Sequence, residues 1–329
     1  MIRVALMAVA ALGATHAQAQ TTAPTLGSPA ACELGQDCFV QQFPDMLAGA
    51  GDQDPFCGVA TYDGHDGTDL RLRSMADVAR GVDVVAVADG TVLRTRDGVA
   101  DRLVQSEADR AAVANLECGN GLVVDLGGGL EAQYCHMKQG SLVVKQGAQV
   151  KKGDKLGSVG ASGMAQFPHV HLTLRRDGKP IDPSTGAALS AGCAADASAR
   201  HPLWDPEVAA AMGTGEAQAL GLGLAGGPID HAALTVSGPP PEATAASANL
   251  VGWVWFANLR KGDQVWIEVL RDGAPFAESK TEPMDRNKAT YSAFAGKRGA
   301  PAPGRYDLRA SLLRNGAAVL SKSETFEVK

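Results

Sequence analysis

The sequence is poor in aromatic residues, has no long apolar run, and contains neither a C-x-x-C pair nor an H-E-x-x-H motif. Phe, Trp and Tyr make up only 5% of its 329 residues, so its cores must be built mainly from aliphatic side chains. The apolar stretch Val4 to Ala14 falls short of the roughly 20 residues that a spanning helix needs, and no later run approaches that length. No integral membrane segment is expected. No region carries an excess of one charge: the formal net charge is −6, with acidic and basic residues interspersed. The basic footprint of a nucleic-acid binder is therefore missing, and no nucleic-acid partner is expected. Without C-x-x-C the cysteines do not read as a thiolate zinc site. Without H-E-x-x-H, a helix-borne zinc protease is excluded. There is no internal repeat and no low-complexity tract beyond an Ala- and Gly-rich stretch after residue 193.

What is present suffices for one or two globular domains, with 45% apolar residues and 39 glycines. Residues 1–19 read as a signal peptide: Arg3 is the positive n-region, Val4 to Ala14 the apolar core, and Ala17-Gln18-Ala19 the cleavage site. The mature chain is thus expected to begin near Gln20 and to reside in the periplasm or outside the cell. Cys32 does not suit a lipid anchor, because Pro29-Ala30-Ala31 lies far from the apolar core and lacks the leucine such sites prefer. Six cysteines in an exported chain point to disulfides. Cys118 and Cys135 are the expected bridge, since they flank a hairpin turned at Gly127-Gly128-Gly129.

Residues 20–57 read as an irregular, disulfide-tied N-terminal segment. From 58 to 193 the pattern is short β runs broken by glycine, such as Val84 to Val87, Gly90 to Leu93, Leu122 to Leu126 and Ala132 to Tyr134. Residues 98–117 interrupt this rhythm with a capping pattern at Ser106 to Asp109 and with Val104, Ala108, Ala111, Ala112 and Leu116 at helical spacing. This insertion is expected to carry one short helix, which covers a strand edge or walls a groove. Residues 194–214 read as a linker with one helical turn. Residues 215–329 carry alternating β runs at the spacing of a small antiparallel sandwich. Trp253 and Trp255 share one face of their strand and are expected in its core. The fold class is all-β: an antiparallel β domain with a short helical insertion, followed by a C-terminal antiparallel β-sandwich.

Chemistry concentrates in the first domain. Gly64-His65-Asp66-Gly67-Thr68-Asp69 sets an imidazole and a carboxylate four residues apart in a glycine-punctuated loop. Tyr134-Cys135-His136 ends one strand, and Pro168-His169-Val170-His171-Leu172 begins another. Residues i and i+2 of a strand point to one face, so His169 and His171 share a cleft. A hydrolytic zinc ion takes three protein ligands and keeps one position open for water. His65, Asp69 and one of the two strand histidines satisfy that count. The other strand histidine and His136 stay off the metal, free to exchange protons with the water or to steady charge on the carbonyl oxygen. His201 and His231 fall in the linker region and read as solvated.

These motifs occur in an order that resembles the lysostaphin-type zinc metallopeptidases, which cleave peptidoglycan peptides. The resemblance covers roughly residues 58–183 and includes His65 to Asp69, Ala88-Asp89-Gly90-Thr91-Val92, Tyr134-Cys135-His136, Val150 to Asp154, Leu156 to Gly163 and Pro168 to His171. It implies one Zn2+ held by His65, Asp69 and His171, with His136 and His169 acting on the water and the transition state. It further implies a zinc metalloendopeptidase whose groove takes an extended peptide of bacterial peptidoglycan containing Gly or D-Ala. The chain departs from the family in its cysteines, in the 98–117 insertion, and in a second β domain where wall-binding modules are typical. That domain is where a protein partner would dock. The rival expectation is a non-catalytic zinc-containing wall-binding or hydrolase-activating protein, and all five metal and catalytic positions being present speaks against it.

Overall fold

The computed structural model describes residues 24–329, so the expected signal peptide, residues 1–19, lies outside the described residues. The molecule is all-β and its strands pair antiparallel. In chain order the first domain comprises β1 (Phe39–Gln42), β2 (Thr68–Arg71), α1 (Met75–Arg80), β3 (Asp83–Val85), β4 (Gly90–Arg96), α2 (Glu107–Ala112), β5 (Asn120–Gly127), β6 (Leu130–Met137), β7 (Gln149–Val150), β8 (Lys155–Ser158), β9 (His169–Arg176) and β10 (Lys179–Ile181). Its main sheet runs β1-β2-β9-β6-β5-β4-β7, with β10 also on β9, while β3 and β8 pair separately.

Strand alternation decides which side chains reach the site. On β9, Val170, Leu172 and Leu174 enter the hydrophobic core, which sends His169, His171 and Thr173 to the opposite face. Leu70 does the same on β2, so Asp69 and Arg71 join the histidines. The register then pairs Asp69 with His171 and Arg71 with His169. On the other side of β9, Cys135 of β6 lies opposite His171.

Two parts of the chain are more ordered than their composition suggests. The N-terminal segment is not wholly irregular, because Phe39 and Val40 are buried and β1 extends the main sheet beyond β2. Residues 194–214 are no free tether: Trp204 and Met212 lie in the first domain's core, and Trp204 bridges to Leu26. There α3 (Pro206–Met212) forms, with Pro at its first turn, where the missing N–H costs nothing. In the insertion, α2 is short and capped as expected, the Ser106 side chain accepting from the Asp109 N–H.

The remainder is β11 (Gln218–Ala225), α4 (His231–Ser237), β12 (Asn249–Leu259), β13 (Gln264–Arg271), β14 (Ala274–Lys280), β15 (Lys288–Arg298), β16 (Gly304–Arg314) and β17 (Ala317–Val328). Sheets β11-β12-β15 and β14-β13-β16-β17 enclose a core that includes Val254, Phe256, Ile267, Tyr306 and Leu308. Trp253 and Trp255 are buried, but in a separate cluster with Leu220 and with Phe39 of the first domain. The exposed edge that β1 would otherwise present is covered there. Gln41 Nε2 donates to Asn258 Oδ1 at 3.0 Å and to the Ala289 carbonyl at 2.8 Å, and Gln218 Nε2 donates to the Val40 carbonyl at 2.8 Å. Three disulfides, Cys32–Cys38, Cys57–Cys193 and Cys118–Cys135, complete the framework.

Candidate metal centre

The structure brings all five sequence-selected residues together, with Asp69, His136, His169 and His171 lining a cleft and His65 behind them against Asp69 and His171. His65 Nε2 lies 3.2 Å from Asp69 Oδ1 and 3.2 Å from His171 Nδ1, and His171 Nδ1 lies 2.8 Å from Asp69 Oδ1. These three buried side chains are a group able to hold a metal ion. Zinc bonds of about 2.0–2.2 Å in a tetrahedral arrangement set donor atoms roughly 3.3 Å apart, so the spacing fits with little adjustment.

The outer hydrogen bonds fix which nitrogen faces inward. A carbonyl oxygen can only accept, so His65 Nδ1, 2.7 Å from the Phe43 carbonyl, carries the proton and leaves Nε2 with its lone pair toward the site. His171 offers the other nitrogen, because its Nε2 contacts Thr173 Oγ1 at 2.9 Å and Asp66 Oδ1 at 3.2 Å. Asp66 is held in turn by Arg175 at 3.0 Å. Gly67 makes room for this arrangement: a Cβ there would sit 2.5 Å from His171 Nε2 and 2.7 Å from the Leu172 carbonyl.

His136 and His169 face the group without joining it. Their Nδ1 atoms lie 2.8 Å from the carbonyls of Ser162 and Phe167, respectively, which leaves both Nε2 atoms as acceptors. His169 Nε2 lies 3.6 Å from Asp69 Oδ1, and the His136 and His169 rings are 4.5 Å apart. His136 adopts a left-handed backbone, φ 60°, and its N–H donates to the Cys118 carbonyl at 2.8 Å. The Cys118–Cys135 disulfide thus secures both neighbours of an unfavourable conformation at a candidate catalytic residue.

Burial pushes the His136 pKa well below its ordinary value, and the neighbouring imidazoles of His169 and His171 push it further. Burial also lowers His169, against the opposing pull of Asp69. Both rings are therefore neutral at pH 7. For His171, burial opposes charge, but hydrogen bonds to Asp66 and Asp69 outweigh it and raise the value to about 9. Burial would raise Asp69 as well, yet the surrounding histidines, His65 foremost, hold it well below the carboxylate range.

The site opens into a cleft of about 510 Å³. Several of its lining residues had no signal in the sequence: Gln41 and Arg71 from the first domain, Phe167 next to the H-x-H strand, and Thr235, Ala289 and Thr290 from the C-terminal domain. Arg110 and Met164 also line it, so the helical insertion does reach the groove. His231 stays outside, its Nδ1 3.0 Å from Ser292 Oγ.

The antiparallel β domain thus holds a buried His/Asp/His group able to take a metal ion, with two further imidazoles beside it. Residues 63–183 match peptidase family M23, the lysostaphin-type family, and this segment of the chain is an M23 domain. An uncharacterized metalloprotease of Haemophilus influenzae is 31% identical over 121 residues, 37% of this chain and 20% of that protein. The peptidoglycan DD-endopeptidase ShyA of Vibrio cholerae is 26% identical over 118 residues, 36% of this chain and 22% of that protein. The match thus spans about a fifth of the length of these curated relatives. Among solved structures, the catalytic domain of a mutant of the prophage-encoded M23 protein EnpA from Enterococcus faecalis is 23% identical, covering 50% of this chain and 95% of that one, with a TM-score of 0.32.

Proposed function

We propose that this chain is an exported zinc metalloendopeptidase that hydrolyses peptide cross-links of bacterial peptidoglycan. The observation that carries this reading is the mutual spacing of 2.8–3.2 Å among His65 Nε2, Asp69 Oδ1 and His171 Nδ1, with two more imidazoles facing the same point. His65, Asp69 and His171 are the residues that would hold zinc. When bound, zinc acidifies a coordinated water toward a pKa of about 7 and polarises a carbonyl.

The chain's own groups handle the protons. His136 and His169 are neutral at pH 7 and present unprotonated Nε2 atoms, so one accepts the proton of the attacking water. That ring, now an imidazolium, hands the proton on to the leaving amine, and the other can donate to the carbonyl oxygen only with a proton taken up on Nε2 from solvent. Thr173, Asp66 and the Phe43 carbonyl keep the histidine rings in the tautomers that leave lone pairs inward. The named function of the Vibrio relative supports a wall-peptide substrate, and three disulfides support an oxidising destination, periplasmic or extracellular.

The test is to incubate the purified protein with cross-linked wall fragments, with and without chelator, and to read products by mass. Cleavage that chelation abolishes and zinc restores supports an enzyme. Binding of fragments with no cleavage at any zinc level would make the chain a binding protein instead.

A further inference from the structure

Arg71 has no assigned role, yet it is almost fully buried and lines the cleft. It follows Asp69 by two residues on β2 and lies opposite His169, which places it beside the reacting centre. Its guanidinium sits 4.8 Å from the ring centroid of Phe167 and 4.9 Å from that of Trp255. Nη1 donates to Gln41 Oε1 at 2.7 Å, Nε to the Leu72 carbonyl at 3.2 Å and Nη2 to the Arg73 carbonyl at 3.4 Å. All three acceptors are neutral, and a second N–H on each Nη remains over.

A buried cation normally has a counter-charge, because desolvation is otherwise uncompensated. Among the described residues Asp69, the proposed metal ligand, is the one acidic side chain lining this cleft, and Asp77, whose charge also acts on Arg71, is already engaged by Ser74 and Arg80, whereas two arginines, Arg71 and Arg110, line the cleft. An arginine packed against aromatic rings is suited to bidentate pairing with a carboxylate.

We propose that Arg71 binds a free carboxylate of the substrate peptide next to the scissile bond, and that Trp255 of the C-terminal domain preorganises it for this contact. The substrates selected are then acidic wall peptides rather than neutral ones such as oligoglycine. This inference rests on the metallopeptidase reading of the same cleft, and it makes the C-terminal sandwich part of the specificity apparatus.

The experiment uses two synthetic cross-linked peptides that differ only in a free α-carboxylate or a carboxamide next to the scissile bond. The zinc-loaded full chain should cleave the acid with kcat/KM at least about tenfold above the amide, as charge-assisted pairing implies. Arg71→Gln should collapse that ratio toward one, chiefly through KM for the acid. Equal cleavage of both peptides by the wild type overturns the proposal. So does a folded, zinc-retaining Arg71→Gln that loses both activities in equal proportion, as a purely structural arginine would. If the wild type cleaves neither peptide, the peptidase reading has failed, and calorimetric binding of the same pair decides the arginine claim. Tighter binding of the acid, lost in Arg71→Gln, supports it; equal binding refutes it.

Discussion

In the metal-free protein His171 should hold a proton that zinc has to displace. Both ring nitrogens face carboxylates, Nδ1 at 2.8 Å from Asp69 Oδ1 and Nε2 at 3.2 Å from Asp66 Oδ1. Burial disfavours the imidazolium, but these two partners prevail and lift its pKa to about 9. A metal ligand must offer a lone pair, so at pH 7, about two units lower, only about one molecule in a hundred is ready to bind. Apparent zinc affinity should therefore rise about tenfold per pH unit from 7 toward 9, a total of roughly 100-fold or about 2.7 kcal/mol, and then level off. Each binding event at pH 7 should release about one proton. Calorimetry in buffers of different ionisation enthalpy counts that proton directly. Asp66→Asn removes one of the two carboxylates and should move the levelling-off point to lower pH. A proton count near zero at pH 7, together with affinity that does not vary with pH, would refute the reasoning.

Replacing His136 with Ala should leave zinc bound and lower turnover by about 10² to 10⁴, the usual worth of a positioned acid or base; full activity in the variant would remove it from the mechanism. Gly67→Ala forces the His171 ring or the Leu172 backbone to move, since the new Cβ would stand 2.5 and 2.7 Å from them. Zinc affinity should fall about 10- to 100-fold while the far-UV spectrum is preserved, and wild-type affinity would show that the ring relaxes freely. Cys57–Cys193 joins residues 136 apart and Cys32–Cys38 residues six apart. Loop-closure entropy then predicts losses of about 5 and about 2 kcal/mol when each pair is replaced by Ala, readable by denaturant unfolding; equal losses would contradict that account.

The cleft was partly legible in local pattern. The H-x-H spacing places His169 and His171 on one face because strand periodicity is local. Which of the two sits against Asp69 depends on the pairing of β2 with β9, a contact across more than a hundred residues that periodicity cannot encode. Family resemblance, rather than spacing, singled out His171. The hairpin that places Cys118 near Cys135 could be read from its three glycines for the same local reason. β1 was missed because its strand signal is four residues long, and its burial depends on β2 and on the sandwich. The cleft wall from the C-terminal domain left no trace in the sequence, since Gln41 meets Asn258 and Ala289 across 217 and 248 residues. Nothing in the sequence marks Arg71, because its contacts with Phe167 and Trp255 join residues far apart in the chain.

The most direct measurement is the anomalous difference density of zinc-loaded crystals, recorded on either side of the zinc absorption edge. One peak about 2.0–2.2 Å from His65 Nε2, Asp69 Oδ1 and His171 Nδ1 is the predicted result, with His136 and His169 uncoordinated. A peak elsewhere, or one in which either of those last two histidines replaces a member of the triad, would contradict the account.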